Sequence, residues 1–276
     1  MHAVIMNTPS HDLKSHSTVT IESLDYVNPY DFTAVHRHNY YELICFEKGG
    51  GIQLVDFNEY PIKDYSAYLI HPNQIHLLTR ESRSKGFLFQ FYPEQIISSE
   101  ISSYTAFYDL ENPAFFEGDE HLFSMLNSYK RLFELESRKS KKSDFYLLNS
   151  MLLDLIRPVQ VNFKSDSGKT TYRFKELLES EYKGFHKVSQ YADALNLSSK
   201  NLHTLTNKHF GFSPLKMIHN RLFLEAKRLL LFQSLSIKEI GYELGFLDAS
   251  SFSNFIKSKS GSSPLALQRE IRKIHE

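Results

Sequence analysis

The stretch HRHNYYELICFEKGG, residues 36–50, sets two imidazoles and a carboxylate at the spacing H-x-H-x3-E: His36, His38 and Glu42, with Gly49 seven residues beyond the glutamate. Imidazole nitrogen and carboxylate oxygen are the donors from which proteins build zinc, iron, manganese and nickel centres. Along a strand, residues two apart share a face, so these side chains would converge if no bulge intervenes. A later HPNQIH supplies His76 from a second strand. Three chemistries fit the set: a metal centre at His36, His38, Glu42 and His76; a small-molecule pocket lined by the same residues and Tyr40; or a hydrogen-bonded structural cluster. Tyr41 is a further aromatic candidate, though core packing is its simpler role. Cys45, in the middle of ELICF, reads as a buried small hydrophobe, with redox sensing as the alternative. No phosphate-binding loop or dinucleotide fingerprint is present, and no Ser/His/Asp set has the local context of a catalytic triad. Catalysis therefore has no support beyond the histidines.

These residues lie in a region, Thr18 to about Tyr92, that reads as short strands. YELICFE, GIQLVDF, SAYLIHP and GFLFQFY are rich in β-branched and aromatic residues and are separated by Gly, Pro and Asn turns, which suggests a sandwich or barrel. The period then changes. Leu122, Met125, Leu126, Tyr129, Leu132 and Phe133 form one helical stripe between Glu120 and Arg138, and Phe145, Leu148, Leu152, Leu155 and Val159 form a second. Such stripes can pack on the barrel or mate with a second chain as a dimer seam. KSDSGKTT, residues 164–171, is polar and contains glycine, as an interdomain linker would.

A chain of 276 residues has room for two domains. Hydrophobic residues make up 41% and charged residues 23%, which excludes the disordered and membrane classes. No apolar run approaches the ~20 residues that span a bilayer. The first residues lack the pattern of a signal peptide, and the lone Cys45 excludes an internal disulfide framework, so a reducing cytoplasm is expected. The net charge of zero conceals an asymmetry: residues 1–168 carry 15 basic and 22 acidic side chains, residues 169–276 carry 17 and 10. A small basic domain suits a polyanion such as DNA, or it complements the acidic half.

The basic half contains a repeat. GFSPL at 211–215 returns as GSSPL at 261–265, an offset of 50 residues. Gly211 and Gly261 can end one helix in the left-handed conformation; Ser213 and Ser263 can cap the next, and Pro214 and Pro264 suit its first turn. Ser198 and Asp248 are matched N-caps upstream, and Leu202 and Phe252 matched core positions. In each unit a short helix leads through a tight turn to a second helix: VSQYADAL to SKNLHTLTNKHF, and IKEIGYEL, opened by a Ser236/Glu239 capping box, to ASSFSNFIKSKS. This is helix-turn-helix geometry, whose second helix enters the major groove. One helix from Ser213 to about Leu231, with Leu215, Ile218, Leu222, Ala226 and Leu229 apolar, joins the units. It would be roughly 28 Å long, close to the ~34 Å between successive major-groove faces.

SIKEIGYELGFLDASSFSNFIKSKSGSSP closely resembles the signature of the AraC/XylS family of transcription regulators, and the similarity spans about 172 to 272. The H-x-H-x3-E-x6-G spacing also resembles the first cupin motif. The resemblance implies an α+β chain of two domains: a cupin-like ligand-sensing and dimerisation domain at 1–163 (barrel about 18–92, helices about 119–160), a linker at 164–171, and an all-α DNA-binding domain at 172–276 with helix-turn-helix units at about 187–209 and 236–259. Carried over by motif, Lys200, His203, Thr204 and Asn207 face DNA from the first unit, and Ala249, Ser250, Ser253 and Asn254 from the second, with Lys257 nearer the phosphates. His203 could equally be a solvated surface histidine. Leu202, Leu205, Phe252 and Ile256 are core. In this family the barrel histidines generally need no metal, so neither metal nor cofactor is expected, and the polar residues line or brace a pocket. The implied function is a ligand-responsive transcription activator, not an enzyme. Its implied partners are double-stranded promoter DNA, RNA polymerase, a small-molecule effector and a second copy docked through helices 119–160; no membrane is involved. The competing readings are a metal-dependent cupin enzyme with a helical appendage and a ligand-independent DNA-binding protein whose barrel only dimerises.

Four positions depart from the family pattern. Asn254 stands where arginine is usual, Ile256 where a near-aromatic residue is usual, and the closing P-x-x-[YF]-R appears as PLALQ, with Leu267 and Gln268. Without that arginine the second recognition helix loses a bidentate donor for guanine or phosphate. The second unit then either binds DNA weakly or serves as a platform for RNA polymerase.

Overall fold

The computed structural model describes residues 19–24, 35–96, 114–136, 141–156 and 166–275. They fall into two compact units, divided at about residue 162. No helix among the described residues is long and apolar enough to cross a membrane.

The first unit is built on two antiparallel sheets. One has the order β1 (Thr20–Ser23), β7 (Lys85–Phe91), β2 (Tyr41–Lys48), β5 (Ser66–Ile70), β8 (Ala114–Glu117); the other has the order β4 (Asn58–Pro61), β3 (Gly51–Val55), β6 (His76–Arg80). Strand β2 is buried on both faces, and its period of two sorts the residues. Tyr41, Leu43 and Cys45 join Leu69, Phe89 and Phe91 in a core that also takes Leu126 and Phe133 of α1 (Glu120–Glu136) and Leu148, Leu152 and Leu155 of α2 (Lys141–Ile156). Ile44 and Phe46 turn the other way, into a second core with Val55, Tyr68, Ile70 and Leu88. Each such side chain contributes ~1.5–3 kcal/mol when fully buried. Glu42 shares the parity of Ile44 and Phe46, so the fold carries a carboxylate to the face of β2 that packs on the second core.

Gly49 makes the exit from β2 possible. A Cβ there would lie 2.3 Å from the Ile62 carbonyl oxygen, and its N–H donates to Asp64 Oδ1 at 2.8 Å. The glycine of the motif thus serves a close backbone approach rather than the polar cluster.

Several expectations are revised. The sheet continues beyond residue 92 through β8, which pairs with β5. Leu132 is 43% exposed although it falls on the predicted stripe, because the buried side of α1 is set by Leu126 and Phe133. Val159 lies outside the described residues.

The second unit comprises α3 (Asp166–Glu181), α4 (Val188–Ala194), α5 (Ser199–Phe210), α6 (Pro214–Phe232), α7 (Ile237–Glu243), α8 (Ala249–Ser260) and α9 (Pro264–His275). Residues 166–171, read as linker, form the first turns of α3, where Thr171 is fully buried and its hydroxyl donates to the Ser167 carbonyl. The predicted caps are made: Asn201 N–H donates to Ser198 Oγ at 3.2 Å, Ser251 N–H to Asp248 Oδ1 at 2.7 Å, and Lys216 N–H to Ser213 Oγ at 3.3 Å. Gly211 (φ 71°) and Gly261 (φ 78°) end α5 and α8 in the left-handed region. Helix α6 is one span of 19 residues with Ile218, Leu222, Ala226 and Leu229 buried. Leu215 is 44% exposed, at the solvent end of its first turn, and Leu205 is only half-buried, its place in the core taken by Thr206. An ion-pair network ties α6 to α3: Arg221 meets Glu179 at 2.8 Å and Glu225 at 3.1 Å, and the fully buried Arg228 meets Glu225 at 3.2 Å.

Candidate functional site

Two sets of side chains stand out. The first is polar and buried. Gln90 lies opposite Glu42 across the β2/β7 pair and donates from Nε2 to Glu42 Oε1 at 2.9 Å. The other carboxylate oxygen, Oε2, lies 3.9 Å from His38 Nε2 and 3.9 Å from His76 Nδ1. His38 Nδ1 is 2.8 Å from the Tyr40 carbonyl oxygen, which can only accept. His38 Nδ1 therefore carries a proton, and Nε2 is the ring nitrogen turned toward the cluster. Tyr40 stacks flat on the His38 ring at 3.9 Å, and His76 stands edge-on to it at 4.9 Å. His38, Glu42 and His76 are 4%, 4% and 1% exposed. Among the described residues, His38 Nε2 and both ring nitrogens of His76 have no hydrogen-bond partner. Each buried orphan of this kind costs ~1–3 kcal/mol.

The electrostatics follow from burial and proximity. Burial raises the Glu42 pKa, but the hydrogen bond and charge of His38, with help from Gln90 and His36, outweigh it and hold the carboxyl below its usual range. His76 is pushed well below the ordinary imidazole value, by burial first and then by His36 and His38. A charged carboxylate thus faces the neutral imidazole of His76. Burial drives the Cys45 thiol far above its usual value, so Cys45 is an inert core residue rather than a redox sensor.

Strand parity does not assemble this cluster as the spacing suggested. Residues 37–40 leave strand geometry before β2 begins, and His36 instead bridges His76 through its backbone, at 3.1 and 2.9 Å. The structure brings His38, Glu42 and His76 together, with ligand atoms within 4.8 Å of one another. Tyr40 covers His38, and the half-buried His36 ring lies 4.2 Å from that of His76. Gln90 was missed, because nothing local in the sequence shows which residue faces Glu42 across a sheet. In the loop before β6, Asn73 has a φ of 64°, a left-handed conformation that asparagine tolerates. Gln74 accepts the His71 N–H and reaches Asp56, bracing that loop.

The second set lies on α5 and α8. Lys200, His203, Thr204 and Asn207 are all exposed on α5; on α8, Ser250, Asn254 and Lys257 are exposed, and Ala249 and Ser253 are half-buried. Leu202 and Thr206 on α5 and Phe252 and Ile256 on α8 point inward, so each helix has one packed and one polar side. Asn207 Nδ2 sits 2.9 Å from His203 Nδ1, which couples these two side chains. Thr204 and Ser253 hydroxyls already donate to Lys200 and Ala249 carbonyls, leaving them as acceptors or apolar contacts.

The repeat is not uniform. The recognition helices start at 199 and 249, but the helices before them start at 188 and 237, so the second turn holds one more residue. That turn contains Leu247, which is 92% exposed. The second unit is also anchored from outside: His186 Nε2 donates to the Leu244 carbonyl at 2.9 Å, Lys183 pairs with Glu243, and a Cβ on Gly245 (φ 80°) would strike the Lys183 carbonyl oxygen. At the chain end Leu267 is buried and Gln268 donates to the Leu230 carbonyl at 3.1 Å, docking α9 on the last turn of α6. Ile256 is fully buried, filling the position where an aromatic ring is usual.

The chain thus joins a two-sheet domain with a buried polar cluster to a helical domain with two capped helix-turn-helix units, the architecture of a transcription regulator. Comparison with known proteins agrees. Residues 21–145 match the AraC-like ligand binding domain, and residues 191–270 match a helix-turn-helix domain. The HTH-type transcriptional activator RhaS of Yersinia pestis bv. Antiqua (strain Angola) is 20% identical over 245 residues, covering 86% of this chain and 89% of the relative; RhaS of Yersinia pseudotuberculosis serotype I (strain IP32953) gives the same figures. The crystal structure of ToxT from Vibrio cholerae O395 is 16% identical, with a TM-score of 0.45, and covers 92% of this chain and 97% of its own. The chain belongs to the AraC family of transcription regulators, with a ligand-binding domain ahead of its DNA-binding domain.

Proposed function

We propose that this protein is a cytoplasmic, effector-responsive transcription activator. It binds a small ligand at the polar cluster of its first domain, through His36, His38, Tyr40, Glu42 and His76. It places α5 and α8 in consecutive major grooves, with Lys200, His203, Thr204 and Asn207 reading one and Ser250, Ser253 and Asn254 the next; Ala249 offers an apolar contact and Lys257 meets phosphate. The observation that carries the reading is the pair of exposed polar recognition faces, each held by its own N-cap and left-handed glycine, in a half of the chain with a surplus of basic residues. RNA polymerase is the partner that turns bound protein into activation, and a second copy docks through α1 and α2, which expose Leu132, Leu135 and Tyr146.

The test is affinity for DNA from the neighbouring promoter over a range of salt concentrations. Each phosphate contact contributes about 0.9 to the slope of log K against log salt, so two occupied grooves give a steep fall. A flat response, or equal affinity for unrelated DNA, would count against this reading.

A further inference from the structure

The His38–Glu42–His76 cluster has the construction of a metal-ion site, and we propose that it binds one divalent first-row transition ion, zinc or a close relative. The inference deepens the effector reading above and rests on it only for regulatory meaning; occupancy is a separate question.

The argument is geometric. Two imidazoles and one carboxylate are the donor set of three-ligand sites that leave a position open. Two of the three donors are already oriented by a partner on their far side: Tyr40's carbonyl holds His38 Nδ1, and Gln90 engages Glu42 Oε1, so Nε2 and Oε2 face inward. A tetrahedral ion with bonds near 2.05 Å sets its ligands roughly 3.3 Å apart. Oε2 lies 3.9 Å from His38 Nε2 and from His76 Nδ1, and all three donors lie within 4.8 Å of one another, so binding an ion draws them together by side-chain adjustment. The second observation is independent of spacing: His38 Nε2 and the His76 ring nitrogens are at least nine-tenths buried and unpartnered among the described residues, in a place where water is excluded. A structural hydrogen-bonded cluster would have paired them. Cys45, the only thiol, belongs to the opposite face of β2, so the set is nitrogen and oxygen only. That favours zinc, iron, nickel or manganese over copper(I). The half-buried His36 ring lies 4.2 Å from that of His76, outside this donor set.

The full-length chain, without a histidine tag and stripped by chelator, is titrated with cobalt(II). The expected result is one equivalent bound, with visible d–d absorption lacking a thiolate charge-transfer band, displaced by zinc. Glu42→Gln and His76→Gln should each weaken uptake at least ~10-fold, whereas His121→Gln, on the exposed start of α1, should not. Far-UV circular dichroism and salt-dependent DNA binding report that the variants remain folded. If both variants unfold, Gln90→Ala, which keeps all three donors and removes only the brace, should weaken uptake ~10-fold. Absent or substoichiometric uptake, or uptake unchanged in the variants, overturns the proposal. A chain that binds promoter DNA but no metal defeats this inference alone. One that binds metal at this cluster but no DNA defeats the regulator reading alone.

Discussion

At the scale of single residues, the chemistry of the proposed DNA face turns on Asn254 and Lys257, both exposed on α8. An asparagine amide can pair with the N6/N7 edge of adenine, whereas arginine in its place would favour guanine O6/N7 or a phosphate. Asn254→Arg is therefore expected to shift base preference at the second half-site and, where the guanidinium reaches phosphate, to steepen the salt slope by about 0.9. Lys257→Ala should flatten the slope by about the same amount and weaken all sequences alike. Fluorescence anisotropy with the operator and single-base variants separates the two; a base-specific loss in Lys257→Ala would reverse the assignment. Because ligand-capable side chains are scarce and recognisable, residue types and spacing singled out His36, His38, Glu42 and His76, and the fold gathers the last three. They could not show that Gln90 orients Glu42, since cross-strand register depends on the whole sheet. Nor could they show that His36 turns its backbone to His76 instead of lining up with His38.

At the scale of elements, local signals carried the helical half well because caps and left-handed glycines act within a few residues. Ser198, Ser213 and Asp248 all cap as their positions suggested. The extra residue in the second turn was invisible, since the offset of the recognition helices hides that of the helices before them. In the β domain, YELICFE was legible as a buried strand, but NEYP of β4 has no apolar pattern and is a strand only through its pairing with β3. DSGKTT looked like a linker because its propensities are weak; burial of Thr171 overrides them. The turn at Gly245 provides a test. Gly211→Ala and Gly245→Ala both force a left-handed alanine, costing ~1–2 kcal/mol. Gly211 has open space around it, while a Cβ at Gly245 meets the Lys183 carbonyl. Thermal melts should therefore show a larger fall for Gly245→Ala than for Gly211→Ala; equal falls would mean that the contact yields freely. Acid provides another. The Ser251 N–H and hydroxyl hold the Asp248 carboxyl below its usual value, and Ser236 does the same for Glu239. A depressed folded pKa stabilises above the unfolded value and is lost as pH falls through the folded one. Amide protection at Ser251 and Ser236, whose N–H groups donate to the Asp248 and Glu239 carboxylates, should accordingly be constant from neutrality down to about pH 5 and decline below about pH 4.

At the scale of the whole molecule, the division of labour between an acidic sensor and a basic reader bears on assembly. On the proposed reading one chain brings two major-groove contacts, and a pair of chains held by their sensor domains would bring four. The exposed apolar residues Leu132 and Leu135 stand three apart on α1, on the same side of the helix, and Leu135 is 67% exposed. Apolar surface of this kind, left in water beside a buried stripe formed by Leu126 and Phe133, is suited to a second copy. If α1 provides the seam, Leu135→Glu places two like charges against each other in the dimer and leaves the monomer core untouched. Sedimentation velocity should then show a dimer for the wild type and a monomer for the variant at micromolar concentration, with unchanged melting. Operator binding supplies the functional readout. Tethering makes the second set of contacts intramolecular, and its loss typically lowers apparent affinity ~10²–10⁴-fold for a two-site operator while leaving a single site unaffected. A variant that remains dimeric, or one that loses single-site and two-site binding equally, would exclude α1 as the seam and put the apolar face of this helix to some other use.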